Sequence, residues 1–110
     1  MITAKILPSG TIIYNRSEKY SSICKEVWYD EKHSLHNEGA PAVVYNNGSY
    51  EYMNHGLRHR LDGPAVYWHN SKKFSYYVMD TYYSEKEYWK LPEVKQYAYL
   101  KEHPELEGFI

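Results

Sequence analysis

The sequence predicts an α+β domain: an antiparallel sheet of β-hairpins built by repetition, with a C-terminal helical cap. Three observations carry this. First, the ten residues His36 to Tyr45 (His-Asn-Glu-Gly-Ala-Pro-Ala-Val-Val-Tyr) recur as His59 to Trp68 (His-Arg-Leu-Asp-Gly-Pro-Ala-Val-Tyr-Trp), 23 residues on. Tyr29 corresponds to Tyr52, Pro41 to Pro64 and Asn47 to Asn70 at the same offset. A third, partial copy follows one inserted residue, with Tyr76, Asp80 and Tyr83 in the places of Tyr52, Gly56 and His59. A fixed period is the mark of repeat architectures. Second, Asn46-Asn47-Gly48 lies between apolar runs, the strongest short-range hairpin signal. Third, the chain changes character at Ser84, where Ser-Glu-Lys-Glu forms a helix capping box.

One domain spans 1–110, with N-terminal strands over 1–28, tandem ~23-residue hairpin repeats over 29–83 and a helical cap over 84–103. In order, a strand is expected from Ile2 to Leu7, then the turn Pro8-Ser9-Gly10, a strand from Thr11 to Tyr14, a polar loop from Asn15 to Lys19 and a strand from Ser22 to Tyr29. The spacing from Ser9-Gly10-Thr11 to Tyr14 echoes Asn47-Gly48-Ser49 to Tyr52, as a decayed further copy would. Ala42–Tyr45 pairs with Ser49–Met53 across the Asn-Gly turn, and Asn54-His55-Gly56 turns the chain again. Asp62-Gly63-Pro64 opens the strand Ala65–Trp68, because proline is tolerated at a strand's first residue. Lys73–Met79 follows, with Phe74, Tyr76 and Val78 on one face and Ser75, Tyr77 and Met79 on the other. In the cap, Tyr88, Trp89 and Leu91 form a short apolar stripe. Pro92 is suited to the first position of a second helix, Val94, Tyr97, Ala98 and Lys101 keep helical spacing, and His103-Pro104 stops it. The pair is expected to cover the open end of the sheet. Phe109 and Ile110 either dock or hang free.

Composition narrows the function. Fourteen Tyr and three Trp stand against two Phe. A phenol joins a large apolar ring to a hydroxyl that stays wet, so the core is expected near the surface. The formal net charge of −1 argues against a generic nucleic-acid binder, which needs a basic excess. The single cysteine, Cys24, excludes an internal disulfide and a Cys-based zinc cluster and fits a reducing compartment. No apolar run approaches the ~20 residues that span a bilayer, and Met-Ile-Thr-Ala-Lys-Ile-Leu-Pro lacks the pattern of a secretory leader. A soluble cytoplasmic protein without membrane contact is the expectation.

His59-Arg60-Leu61-Asp62-Gly63-Pro64-Ala65 resembles the "HRxDGPA" repeat of small proteins from tailed bacteriophages and some large DNA viruses. The exit from the repeats, Tyr83-Ser84-Glu-Lys-Glu-Tyr-Trp89, resembles that family's acidic, aromatic terminal helix. The resemblance covers residues 29 to about 98. It is also similar to variant MORN repeats, β-hairpin arrays used for binding rather than chemistry. The first copy departs from the pattern, with Asn37, Gly39 and Ala40 in the places of Arg60, Asp62 and Gly63. The resemblance implies a non-enzymatic phage-type accessory protein, in the host cytoplasm, that binds a host protein and modulates or inhibits it, as in counter-defence.

The residues themselves offer little chemistry. His33 and His36, and His55 and His59, are close in sequence, and His36 and His59 hold equivalent repeat positions. Zinc needs three or four ligands, whereas Tyr83 stands at the third equivalent place, so no metal is expected. The plain alternative is that each His bonds a turn backbone within its own unit. Glu38 or Asp62 beside a His would suit acid–base work, but charged turn residues near His are common. Cys24 has no partner fixed by sequence, and neither a Gly-x-Ser-x-Gly elbow nor a Gly-rich phosphate loop is present. No enzyme and no cofactor are expected. Binding is better supported. Arg58, His59, Arg60, Lys72 and Lys73, with His36, His55, His69 and Asp62 nearby, lie among Tyr67, Trp68, Phe74 and Tyr76. Such a surface suits a protein partner or, alternatively, a nucleotide or RNA held by stacking and charge. The opposite sign on Glu85, Glu87, Glu93 and Glu102 favours protein partners, and sheet edges leave a homodimer open.

Overall fold

The structure, a computed structural model, describes residues 3–105 apart from the Lys19 side chain. In chain order the strands are β1 (Thr3–Ile6), β2 (Ile12–Asn15), β3 (Cys24–Tyr29), β4 (Val43–Tyr45), β5 (Tyr50–Glu51), β6 (Met53–Asn54), β7 (Leu57–Arg58), β8 (Val66–Trp68), β9 (Lys73–Val78) and β10 (Thr81–Tyr83). The helices α1 (Glu85–Tyr88) and α2 (Pro92–Glu102) follow. Eight strands make one sheet in the order β1-β2-β3-β4-β5-β8-β9-β10, antiparallel throughout, and β6 and β7 pair only with each other. The α+β class is therefore as expected: an antiparallel sheet with a short helical C-terminus. The molecule measures 39 × 35 × 21 Å, and its radius of gyration of 14.8 Å exceeds the ~13 Å of a compact chain this long, as a flattened sheet requires.

Local chemistry explains the turns. Gly10 sits at φ 92°, and Leu7 and Thr11 close the first hairpin through an N–H···O bond of 2.8 Å. Between β4 and β5 the Asn47 side chain accepts the Ser49 amide at 2.9 Å. The strand expected over Ser49–Met53 is broken at Tyr52, whose amide crosses to the Ala65 carbonyl at 2.6 Å. The chain then makes a tight second hairpin, β6–β7, through His55 (φ 45°) and Gly56 (φ 89°). The β9–β10 turn repeats that geometry with Met79 (φ 46°) and Asp80 (φ 69°), both central residues left-handed as primed hairpin turns demand. Met79 is thus a turn residue, not a strand residue. A 3-10 turn over Ser17–Tyr20 replaces the expected polar loop, anchored where Asn15 Oδ1 accepts the Ser17 amide. The expected start of β1 at Ile2, and Phe109 and Ile110, lie outside the described residues.

The cross-strand register sorts the two faces. Val27, Val43, Glu51, Val66 and Ser75 are successive partners and all are buried. The neighbouring row, Val44, Tyr50, Tyr67 and Phe74, is equally continuous but reaches Phe74 at 52% exposure. A one-residue slip would exchange the rows. Buried apolar groups form three small clusters: Cys24, Val27, Ala42, Val43 and Met53; Leu7, Ile13 and Trp28; and Val78, Tyr88 and Val94.

Ser84 caps α1, its hydroxyl accepting the Glu87 amide at 3.2 Å. The Glu87 carboxylate closes the box by accepting the Ser84 hydroxyl at 2.8 Å rather than by reaching the cap amide. Pro92 opens α2 and His103 ends it. The helix α1 packs on β9 and β10 through the fully buried Tyr88. Among the described residues no helix is long and apolar enough to cross a membrane.

Candidate functional site

The motif residues at the heart of the sequence mostly hold the chain together. Arg60 donates from Nε to Asp62 at 2.8 Å and from a terminal nitrogen to the Pro64 carbonyl at 3.0 Å. Its guanidinium lies 4.0 Å from the Tyr52 ring centroid, and Lys101 of α2 donates to the other Asp62 oxygen at 3.2 Å. A Cβ at Gly63 would stand 3.1 Å from the guanidinium carbon, so any larger residue would push the arginine back by a few tenths of an ångström. In the first copy Asn37 makes the corresponding bond, to the Pro41 carbonyl at 3.0 Å. Trp28, one residue before the counterpart of Tyr52, donates its amide to the Ala42 carbonyl at 2.8 Å, and its ring carries the Lys5 ammonium at 4.5 Å.

The equivalent histidines share a task. His36 Nδ1 accepts the His55 amide at 2.9 Å, and His59 Nδ1 accepts the Met79 amide at 3.0 Å. Each therefore satisfies the turn of the following hairpin, not one within its own unit. Acceptance at Nδ1 places the remaining hydrogen of a neutral ring on Nε2, and His36 Nε2 meets Glu38 at 3.2 Å. The Glu38 carboxylate also accepts from the hydroxyl and amide of Ser9. Burial would raise the Glu38 pKa, but the hydrogen bonds from Ser9 and His36 hold it below its ordinary value. His55 stacks on His36 and bonds Asp30 through Nδ1 at 2.7 Å. Asp30 is likewise held low: burial opposes ionisation, while His55 and the Ser34 and Lys32 amides outweigh it.

Two recesses meet at this cluster. One of about 410 Å³ is lined in part by His36, Glu38, His59, Arg60, Asp62 and Tyr97. The other, about 690 Å³, is lined in part by Ser9, Asp30, Lys32, Ser34 and His55. Of the residues named from sequence, His36, His59, Arg60 and Asp62 thus come together. Burial holds the His59 pKa down, with Glu93 opposing, which suits a neutral ring. Glu38 does meet a histidine, whereas Asp62 is engaged by Arg60 and Lys101. Among the described residues no group of three or more His, Cys, Asp or Glu is placed to hold a metal ion.

The remaining named residues lie elsewhere. Arg58 bonds Glu51 at 3.2 Å in the buried row, where the Tyr45 hydroxyl also donates to Glu51 at 2.7 Å. Burial raises the Tyr45 phenol pKa and Glu51 raises it further. Tyr67 is half-buried in the second row, stacked on Phe74 at 4.5 Å and 5.7 Å from Tyr50. The hairpin tip beside it carries Lys72 and Lys73, both exposed, with Lys72 Nζ 3.4 Å from His69 Nδ1. Trp68 is 37% exposed and leans on Tyr45 at 5.7 Å, its strand partner being Lys73. Sequence reasoning did not single out Tyr50, Asp30 or Ser9: the first was one tyrosine of many, and the other two are loop residues with no motif. Compared with family models, with curated proteins and with solved structures, the chain gives no significant match.

Proposed function

We propose that this chain is a non-enzymatic accessory protein of phage type that binds a host protein through its aromatic sheet face and modulates or inhibits it. The observation that carries the reading is the row Tyr50–Tyr67–Phe74: rings 5.7 and 4.5 Å apart that run unbroken across three strands and end in the 52% exposed Phe74. Rigid, amphipathic aromatics supply contact area at low conformational cost, which is why they concentrate at protein interfaces. Lys72, which reaches the row's end through His69, favours a partner with an acidic rim. The resemblance to phage repeat proteins supplies the host setting. The paired bonds of Asn37 and Arg60, and of His36 and His59, support a repeat-built sheet whose motif serves architecture, leaving recognition to the variable residues between.

Affinity capture from bacterial lysate tests the reading. One host protein held stoichiometrically by the wild type and released by Phe74→Ala supports it; a partner held equally by both, or none at all, removes it. The same stacked rings beside two exposed lysines also suit a nucleotide or single-stranded RNA. Co-purified material absorbing near 260 nm, with no protein, would favour that second reading.

A further inference from the structure

A smaller recess lies away from both surfaces, between the 3-10 turn and the loop after β3. It encloses about 210 Å³ and is lined by Arg16, Tyr20, Tyr29 and His33. All four side chains carry hydrogen-bond donors, and none is a carboxylate. Arg16 Nε is the one buried side-chain nitrogen or oxygen among the described residues that has no hydrogen-bond partner. A buried donor left unpaired is costly, more so when it belongs to a charged group, and native structures rarely keep one without a reason.

The donors are presented from two anchored segments. Arg16 follows β2, its amide bonded to the Val27 carbonyl at 2.8 Å, and Tyr20 ends the 3-10 turn with its carbonyl accepting the Ile23 amide at 2.8 Å. Across the recess, Tyr29 ends β3 and bridges to Leu35. The buried Asp30 carboxylate fixes the loop between them by accepting the Lys32 and Ser34 amides, each at 2.9 Å. That loop holds His33 at φ 64°, a conformation few side chains adopt without cause. Burial raises the Tyr29 pKa, a hydrogen bond shared with the Tyr20 side chain adds to the rise and Arg16 opposes it, so the two phenols act as a bonded pair at the recess wall.

We infer that this recess binds a phosphate group, with Arg16 as the charged anchor and the Tyr20, Tyr29 and His33 side chains as donors around it. A guanidinium matches tetrahedral oxyanions through its planar fork of N–H groups, and Arg16 brings that fork to the wall of the recess. The phosphate is either the free ion or the monoester of a mononucleotide, since the chemistry at the recess is the same. This site does not depend on the aromatic face and stands whether or not that face binds a protein.

The test is a titration of the 15N-labelled full chain at constant ionic strength with inorganic phosphate, adenosine monophosphate and acetate. The Nε–H resonances of Arg16, Arg58 and Arg60 are followed together. The expected result is a saturable shift confined, among the arginines, to Arg16, with the accompanying backbone amide shifts around the recess lost in Arg16→Gln and the affinity weakened several-fold in Tyr20→Phe. Tighter binding of the monophosphate than of phosphate identifies an ester ligand; equal or weaker binding identifies the free ion. No saturable shift with either, an equal response to acetate, or equal movement of all three arginines overturns the proposal. If Arg16→Gln fails to fold, the localised wild-type shift still decides.

Discussion

His36 and His55 lie face to face, their ring centroids 3.8 Å apart and their planes 12° from parallel, and the His55 amide bonds the ring it stacks on. One imidazole thus pins the next hairpin by its ring face and by its nitrogen. Asp30 and Glu38 hold the pair from outside, at 2.7 and 3.2 Å. His36 is 2% exposed, so its bonds are made where water does not replace them.

Removing that ring should be expensive. His36→Ala deletes a buried side chain and strands the His55 amide, an expected loss of about 2–4 kcal/mol. His59→Ala, at the half-buried equivalent, should cost less, about 1–2 kcal/mol. Urea unfolding of the two variants checks the order, and equal losses would contradict the role given to His36.

Arg60 and Asn37 make one bond in common, to Pro64 and Pro41. Arg60→Ala should lose about 1–3 kcal/mol, from the Asp62 bond, the Pro64 bond and the contact with Tyr52. Arg60→Asn should recover part of it. Gly63→Ala should also destabilise by crowding the guanidinium, and less so in an Arg60→Ala background, because neighbours sharing one contact are not additive. Thermal melts of the four variants read this directly; strict additivity would remove the packing argument.

Acid should weaken the fold in two stages. His59 has a lowered folded pKa, so the unfolded chain takes up its proton first and stability begins to fall below about pH 6.5. Asp30, Glu38 and Asp62 have lowered folded values as well. Their stabilisation is complete above the ordinary carboxylate range and is lost as pH falls through the folded values. Melting temperature against pH should therefore bend near 6.5 and drop again below about 4. The first bend should vanish in His59→Gln while the second remains.

The exposed aromatic row should separate stability from binding. Phe74→Ala is expected to change stability by less than about 1 kcal/mol, since its ring is half in solvent, yet to abolish partner capture. Ser84→Ala, which removes the α1 cap and no ring of that row, should cost about 1 kcal/mol and leave capture intact. Comparing the two variants in one capture experiment distinguishes a lost surface from a loosened fold.

Much of the fold was legible because its signals are short-range. Asn47-Gly48 marked a hairpin, Ser84 and Glu87 a helix start, and Pro92 the opening of the second helix. The turn at His55-Gly56 was legible as well, whereas the one at Met79-Asp80 was not. Met79 takes a left-handed conformation usually left to glycine, asparagine or aspartate, and Tyr52 leaves its strand where Ala65 receives its amide. The grouping of His36, His59, Arg60 and Asp62 followed from their repeat positions. Nothing in the order of residues showed that Arg58 would turn to the buried Glu51 or that Asp30 would meet His55, 25 residues away.

By itself, the sequence determined where this chain turns, which segments extend and where the helices begin, because turn, cap and proline effects act over a few residues. Only the tertiary structure decided which aromatic row reaches solvent at Phe74, which arginines are spent on architecture and that the buried Arg16 Nε is left without a hydrogen-bond partner. Those outcomes depend on strand register and on contacts between distant hairpins, and a shift of one residue would move every side chain to the opposite face.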